Sequence, residues 1–175
     1  ARLEVFKNYK KMKIFFNLAL LAIITKVATS KENSAFIKIV KYEGSDYEKT
    51  FFVPRHYQTT HGHANAVCQS YGMEFAMIES MDEFACIHNA ISSVAEQFEE
   101  TILIDGITTS SKSPTDWYFT CTGKKINFPM VWAPSEPNDL DGNEKCLSIK
   151  ARNSVWEVND IDCNETFSFA CQIVS

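Results

Sequence analysis

The stretch EPNDLDGNEKC, Glu136–Cys146, holds two glutamates, two aspartates and two asparagines in eleven residues, with Pro137 between the first glutamate and the first asparagine. Its oxygens either face water or converge on a cation. An EF-hand register fails. Counted from Asp139, the sixth residue is Glu144 where glycine is needed, and the twelfth is Lys150 where glutamate is needed. A glycosidase pair needs one carboxyl kept protonated in an apolar setting, and this loop is polar throughout. What remains is a calcium site of another design. Ca2+ takes about six to eight hard oxygens from carboxylates and amide carbonyls, the types that Glu136, Asn138 and Glu144 carry.

A second oxygen pair, Asn159 and Asp160, lies in NDIDC just ahead of Cys163, as the first loop lies ahead of Cys146. Around these loops the chain changes character once. Residues 31–49 are polar and mixed, and read as an arm. KTFFVPRHY reads as a strand ending near Pro54. From Thr59 to Tyr71, Ala64, Val67, Cys68 and Tyr71 recur at helical steps. FAMIES is strand-like. Ser80 and Glu83 form a capping box, and Phe84, Ile87, Ile91 and Val94 give the apolar stripe of a second helix that ends around Gln97. Beyond it, TILIDGI, DWYFTCTG, VWAP, KCLSIKA, SVWEV and SFACQIV read as short strands, with a long loop-rich region between Thr108 and Asn143. Helices followed by many strands predict an α+β fold.

The given sequence starts at Ala1. Met12 opens MKIFFNLALLAIITKVATS, which reads as a signal peptide over residues 12–30: a lysine, a short apolar core, then Ala28 and Ser30 at a cleavage site. Residues 1–11 then read as an upstream translated extension. A signal-anchor is the rival reading, but the apolar core is well under the roughly 20 residues that span a bilayer. The net charge is −5; removing residues 1–30 takes away six basic residues and one acid and leaves −10. So acidic a surface repels phosphate backbones, which argues against nucleic acid as a partner. All six cysteines lie in the remainder, and an even count behind a signal peptide reads as three disulfides. No C-x-x-C pair suggests zinc. The sequon Asn164-Glu165-Thr166 marks Asn164 as a glycosylation site of a secreted, extracellular protein.

Taken in order, WAPSEPN (Trp132–Asn138), Glu144 two residues before Cys146, NDIDC (Asn159–Cys163), FACQ (Phe169–Gln172) and AVCQSYGMEFAMIES (Ala66–Ser80) resemble the mannose-type C-type lectin domain. The resemblance covers about residues 50–173, within a domain set at 50–175. It implies a C-type lectin fold: two helices packed on antiparallel sheets, with a long calcium-binding loop region. It implies disulfides Cys68–Cys171 and Cys146–Cys163. It also implies one Ca2+ held by Glu136, Asn138, Glu144, Asn159 and Asp160, with the sugar bound directly to that ion and touching Glu136, Asn138, Glu144 and Asn159. A cis bond before Pro137 is a further implication. Glutamate and asparagine at 136 and 138 imply sugars with equatorial 3- and 4-hydroxyls, of the mannose, N-acetylglucosamine, fucose or glucose type. Galactose binders of the family carry Gln and Asp there. The short single-domain plan is similar to invertebrate lectins that act in glycan recognition, including innate immunity.

Several positions depart from the family pattern. Thr109, Ser113 and Lys145 stand where a second, auxiliary calcium would need acids, so one ion is expected, with Asp139 and Asp141 left as solvated loop acids. Trp156 is expected in the core, beside Val158 on the same strand face. Asp105, in a place normally apolar, needs a polar partner. His61 stands where an aromatic packs; with His63 it forms an H-x-H too sparse for a zinc site. Cys86 and Cys121 are expected to pair with each other, two free thiols being the alternative. No triad order, HExxH or phosphate loop points to an enzyme. The competing function is a protein-binding C-type lectin-like module, such as a salivary, venom or reproductive-fluid factor, in which calcium is only structural. A sugar site of this kind binds weakly, so a homo-oligomer is expected to supply avidity.

Overall fold

The computed structural model describes residues 35–92, 101–110, 113–152 and 155–175. The upstream extension, the signal peptide and the expected end of the second helix near Gln97 lie outside the described residues. Residues 36–175 form one unit.

Strand β1 (Phe36–Glu43) and strand β2 (Glu48–Pro54) form a hairpin closed by Gly44 N–H donating to the Tyr47 carbonyl at 2.9 Å. Within the stretch expected to be an arm over 31–49, residues 36–43 and 48–49 are therefore sheet. Its polarity misled because β1 is an edge strand: Phe36 is buried, while the other β1 residues are half-buried or exposed. β2 alternates inward at Lys49, Phe51 and Val53. Strand β3 (Thr59–Thr60) leads into helix α1 (His61–Ser70), which buries His61, Ala64 and Cys68. Gly72, at φ +72°, ends it, with Gly72 N–H on the Gln69 carbonyl and Met73 N–H on the Cys68 carbonyl. Strand β4 is only Glu74–Phe75; the rest of FAMIES is not strand, although Ala76 N–H donates to the Ala170 carbonyl and the Ala76 carbonyl accepts Asp105 N–H, both at 2.9 Å.

Helix α2 (Met81–Ser92) buries Phe84, Ile87 and Ile91. Half of its predicted capping box forms: Glu83 N–H donates to Ser80 Oγ at 3.2 Å. The Glu83 carboxylate turns instead to Glu79 N–H at 2.9 Å and to the Lys49 ammonium at 3.0 Å, and it accepts from the Tyr47 hydroxyl. Strand β5 (Thr101–Ile107), strand β6 (Glu144–Arg152) and strand β7 (Val155–Asp162) form an antiparallel run. SFACQIV splits at Ala170 into strand β8 (Thr166–Phe169) and strand β9 (Cys171–Val174), which enter different sheets. The sheets read β1-β2-β9-β4 and β3-β8-β5-β6-β7, antiparallel except for β5 beside β8. DWYFTCTG does not form a strand; only Tyr118 bridges, to Ile107 and Lys125.

The core is continuous from Phe51 and Val53 through Ile87 and Ile149 to Trp117 and Trp156, and Val158 joins it on the same face as Trp156. Asp105 is buried and satisfied: its carboxylate accepts from Thr120 N–H at 2.8 Å, the Thr120 hydroxyl and Cys121 N–H at 3.1 Å. His61 fills its aromatic place edge-on to Phe75, and its Nε2 meets the Ile104 carbonyl at 3.0 Å.

Two disulfides close the fold, Cys68–Cys171 and Cys146–Cys163. The third expected pair does not form: Cys86 and Cys121 are free thiols. Their surroundings differ. Cys86 lies on α2 near Glu83, whereas Cys121 lies on a turn against Asp105 and Glu74. Burial, then the Asp105 charge, pushes the Cys121 thiol up to about 12.

Candidate functional site

The oxygen-rich loop is placed by the free edge of β7. Val158 N–H donates to the Val131 carbonyl and Ala133 N–H to the Val158 carbonyl, both at 2.8 Å, and Trp132 bridges Val158 in parallel. This short annexed segment delivers the chain to residues 136–138 beside Asn159 and Asp160. Glu136 N–H on the Ala133 carbonyl turns it, and the Glu136–Pro137 bond is cis. Among the described residues, the non-glycine residues with positive φ are Ser135 (76°), Asp139 (49°) and Asp141 (54°), all in this loop. Left-handed backbone is costly for such residues and gathers at functional sites.

Asp160 is the loop's internal clamp. It is buried, and its two carboxylate oxygens accept Asn138 N–H at 3.2 Å and Asp139 N–H at 2.8 Å. Glu144, at the start of β6, accepts Leu140 N–H at 2.8 Å. Asn159 donates its amide to the Asp160 carbonyl at 2.6 Å, which fixes that side chain. The Cys146–Cys163 bridge ties β6 to the end of β7 with 5.2 Å between Cα atoms, so both oxygen clusters are held by one staple.

Two oxygens in this cluster lack donors. Glu136 Oε2 and Asn138 Oδ1 are buried and have no hydrogen-bond partner. Buried acceptors are normally satisfied, and leaving one empty costs free energy. Burial, then the nearby Asp160 charge, raises the Glu136 carboxyl above the usual carboxylate range. Glu144 is raised by burial, then by Asp160 and Asp139, against the Leu140 hydrogen bond that lowers it. Crowded carboxylates and unsatisfied hard oxygens are the surroundings that a divalent cation relieves. Among the described residues no group of three or more His, Cys, Asp and Glu side chains forms a metal cluster by itself. Three of the five expected donors, Glu136, Glu144 and Asp160, are carboxylates, and they do not form such a group in this structure.

Asp139 departs from expectation. It is 6% exposed, receives the Lys145 ammonium at 2.7 Å and accepts Glu144 N–H at 3.2 Å, so it braces the loop and is not a solvated acid. The sequence carried no local sign of that pairing, because loop closure across six residues creates it. Asp141 is exposed as expected, beside Gly142 at φ +79°. Asn164 is exposed on the turn after Cys163. His61 and His63 do not share a site: His63 Nδ1 meets the Thr60 hydroxyl at 3.0 Å.

The fold is a disulfide-stapled α+β domain with a long loop presenting paired acid and amide oxygens, and comparison with known proteins gives it a family. The model of the Lectin C-type domain matches residues 57–173, and the chain belongs to that family. The human protein C-type lectin domain family 4 member K is 29% identical over 105 residues, 53% of this chain and 31% of that protein, so the match spans about a third of that relative's length. The C-type lectin domain of murine dendritic cell inhibitory receptor 2, solved in complex with N-glycan, is 17% identical with a TM-score of 0.57, covering 77% of this chain and 100% of that one. The C-type lectin CEL-I from Cucumaria echinata is 18% identical with a TM-score of 0.58, covering 77% and 94%. At these identities the structural likeness establishes the C-type lectin fold.

Proposed function

We propose that this protein is a secreted, non-enzymatic lectin that holds one Ca2+ through Glu136, Asn138, Glu144, Asn159 and Asp160 and binds mannose-type sugars there. The observation that carries this reading is the pair of buried, unpartnered oxygens, Glu136 Oε2 and Asn138 Oδ1, flanking the Asp160 clamp. Membership of the C-type lectin family supports a carbohydrate-binding role, and the glycan complex of the murine neighbour agrees with it.

The bound ion would supply direct coordination of two vicinal sugar hydroxyls. The chain's own contribution is polarity. Glu136 only accepts hydrogen bonds, whereas Asn138, with its carbonyl turned to the buried side, has its amide free to donate. That order suits equatorial 3- and 4-hydroxyls, as in mannose, N-acetylglucosamine, fucose-type and glucose-type rings. The Lys145 ammonium on Asp139 supports a single ion. Multivalent presentation, by oligomers or dense glycan surfaces, would supply the affinity a monosaccharide cannot, and glycan surveillance in innate immunity is the role we assign. No described helix is long and apolar enough to cross a membrane.

A glycan array run with calcium and again with EDTA tests the reading. Calcium-dependent signals on mannose-type glycans are expected. Binding to a glycan-free protein with no glycan signal would instead establish the protein-binding module.

A further inference from the structure

The proposed ion site borders an ion pair that is not among its donors. Asp139 is buried and lies between the expected donors Asn138 and Glu144. Its N–H donates to Asp160 Oδ2 at 2.8 Å and its carbonyl accepts Gly142 N–H at 2.9 Å. Its Oδ1 accepts both Glu144 N–H at 3.2 Å and the Lys145 ammonium at 2.7 Å. One residue thus joins Asp160 on β7, Glu144 on β6 and the turn over 140–142. Asp139 and Asp141 both sit at positive φ, 49° and 54°. Such backbone persists only where the surrounding contacts over-determine it.

Lys145 is itself fixed from the sheet side. It is the second residue of β6, and its carbonyl accepts Thr108 N–H at 2.9 Å just beyond β5. The next residue, Cys146, is bridged to Cys163. A cation carried on a strand therefore reaches out to the loop and closes on its buried acid.

That cation acts on a bound Ca2+ in two opposed ways. As a like charge it weakens ion binding. As a brace it neutralises a buried carboxylate that would otherwise stand uncompensated, and so keeps the amides of 139 and 144 in their hydrogen bonds. The Lys145 side chain is 28% exposed, so solvent screens the repulsion. Bracing is the larger effect: apparent affinity falls in proportion to the fraction of protein in the competent shape, and partners that orient metal ligands are worth about 10–100-fold in metal affinity.

We propose that Lys145 is a positioning residue: its ammonium on Asp139 holds residues 138–144 in the ion-binding shape before any ion arrives, so that Ca2+ enters a preformed loop. The proposal rests on the calcium and sugar reading above for the ion it names.

Amide hydrogen exchange in EDTA, paired with a calorimetric titration of Ca2+ alone, tests it. In the native protein the amides of Asp139 and Glu144 should be protected without calcium. Lys145→Met should speed their exchange at least about tenfold and weaken Ca2+ binding about 10–100-fold, while the amides of β6 beyond Cys146 stay protected. Lys145→Arg should keep both the protection and the affinity. Asp141→Asn, which removes an exposed charge from the same loop, should leave the exchange unchanged. If Lys145→Met fails to fold, Asp139→Asn carries the test, with both losses expected. Fast exchange of these amides in the native protein, or unchanged exchange in Lys145→Met, overturns the inference. So does Ca2+ bound as tightly or more tightly by Lys145→Met, as repulsion alone requires, and so does equal loss of protection in Lys145→Arg or Asp141→Asn. Each of these results leaves the calcium reading standing. A native protein that takes up no Ca2+ overturns both.

Discussion

Under the proposed function, sugar selection at Glu136 and Asn138 reduces to which atom accepts and which donates. Both side chains present one buried, unpartnered oxygen inward, so their remaining atoms set the hydrogen-bond polarity seen by a ligand. Exchanging that polarity with Glu136→Gln and Asn138→Asp should move preference from mannose towards galactose on the same array, and an unchanged preference would refute the acceptor and donor assignment. His61 makes a second prediction at this scale. Burial holds its imidazole below the usual 6.5, although Asp105 and the Ile104 carbonyl pull the other way. The unfolded chain therefore takes up the proton first, and His61 contributes stability above its unfolded pKa that is lost as pH falls below about 6.5. His61→Phe keeps a ring against Phe75 and removes the titration. Its Tm should fall less than the native protein's between about pH 7.5 and 5.5. Parallel falls would assign the acid sensitivity to other groups.

At the scale of elements, the motifs with local chemistry were legible. The strands KTFFVP, TILIDGI and KCLSIKA, the two helix starts and the two family disulfides needed only periodicity, caps or ordered motifs. The misread elements depended on partners far away in sequence. β1 is polar because it is an edge, Asp139 is buried because Lys145 closes over it, and Cys86 and Cys121 stay apart because the fold gives them different neighbours. The link from β2 to α2 was also invisible, since a lysine in a polar stretch reads as surface. In the fold, Lys49 is 2% exposed and its ammonium meets Glu79 at 2.6 Å, buried Glu83 at 3.0 Å and the Met77 carbonyl at 3.0 Å. Removing one partner of a buried pair strands the other charge. Lys49→Met should therefore cost about 3–5 kcal/mol in urea unfolding, and adding Glu83→Gln should recover part of it. A loss within the range of ordinary surface changes, about 0.5 kcal/mol, would mean the pair is not buried in solution.

Across the whole molecule, one arrangement links fold to function. The β6–β7 hairpin, its Cys146–Cys163 staple and the annexed segment at Trp132 bring two oxygen clusters, distant in sequence, to one place. The candidate donors and their meeting in one place were expected from the motifs and the implied Cys146–Cys163 bridge, but the backbone contacts that achieve that convergence were not. Convergence required the β7 edge to capture residues 131–133 and Asp160 to clamp the backbone of 138 and 139. If the cluster exists to hold a cation, sugar binding must depend on that cation completely. The most direct measurement is a calorimetric titration of methyl α-mannoside into the protein with calcium, after EDTA, and after calcium is restored. A saturable heat with calcium, none with EDTA and full recovery is the predicted result. Binding that persists unchanged in EDTA, or no binding in any of the three conditions, would contradict the account.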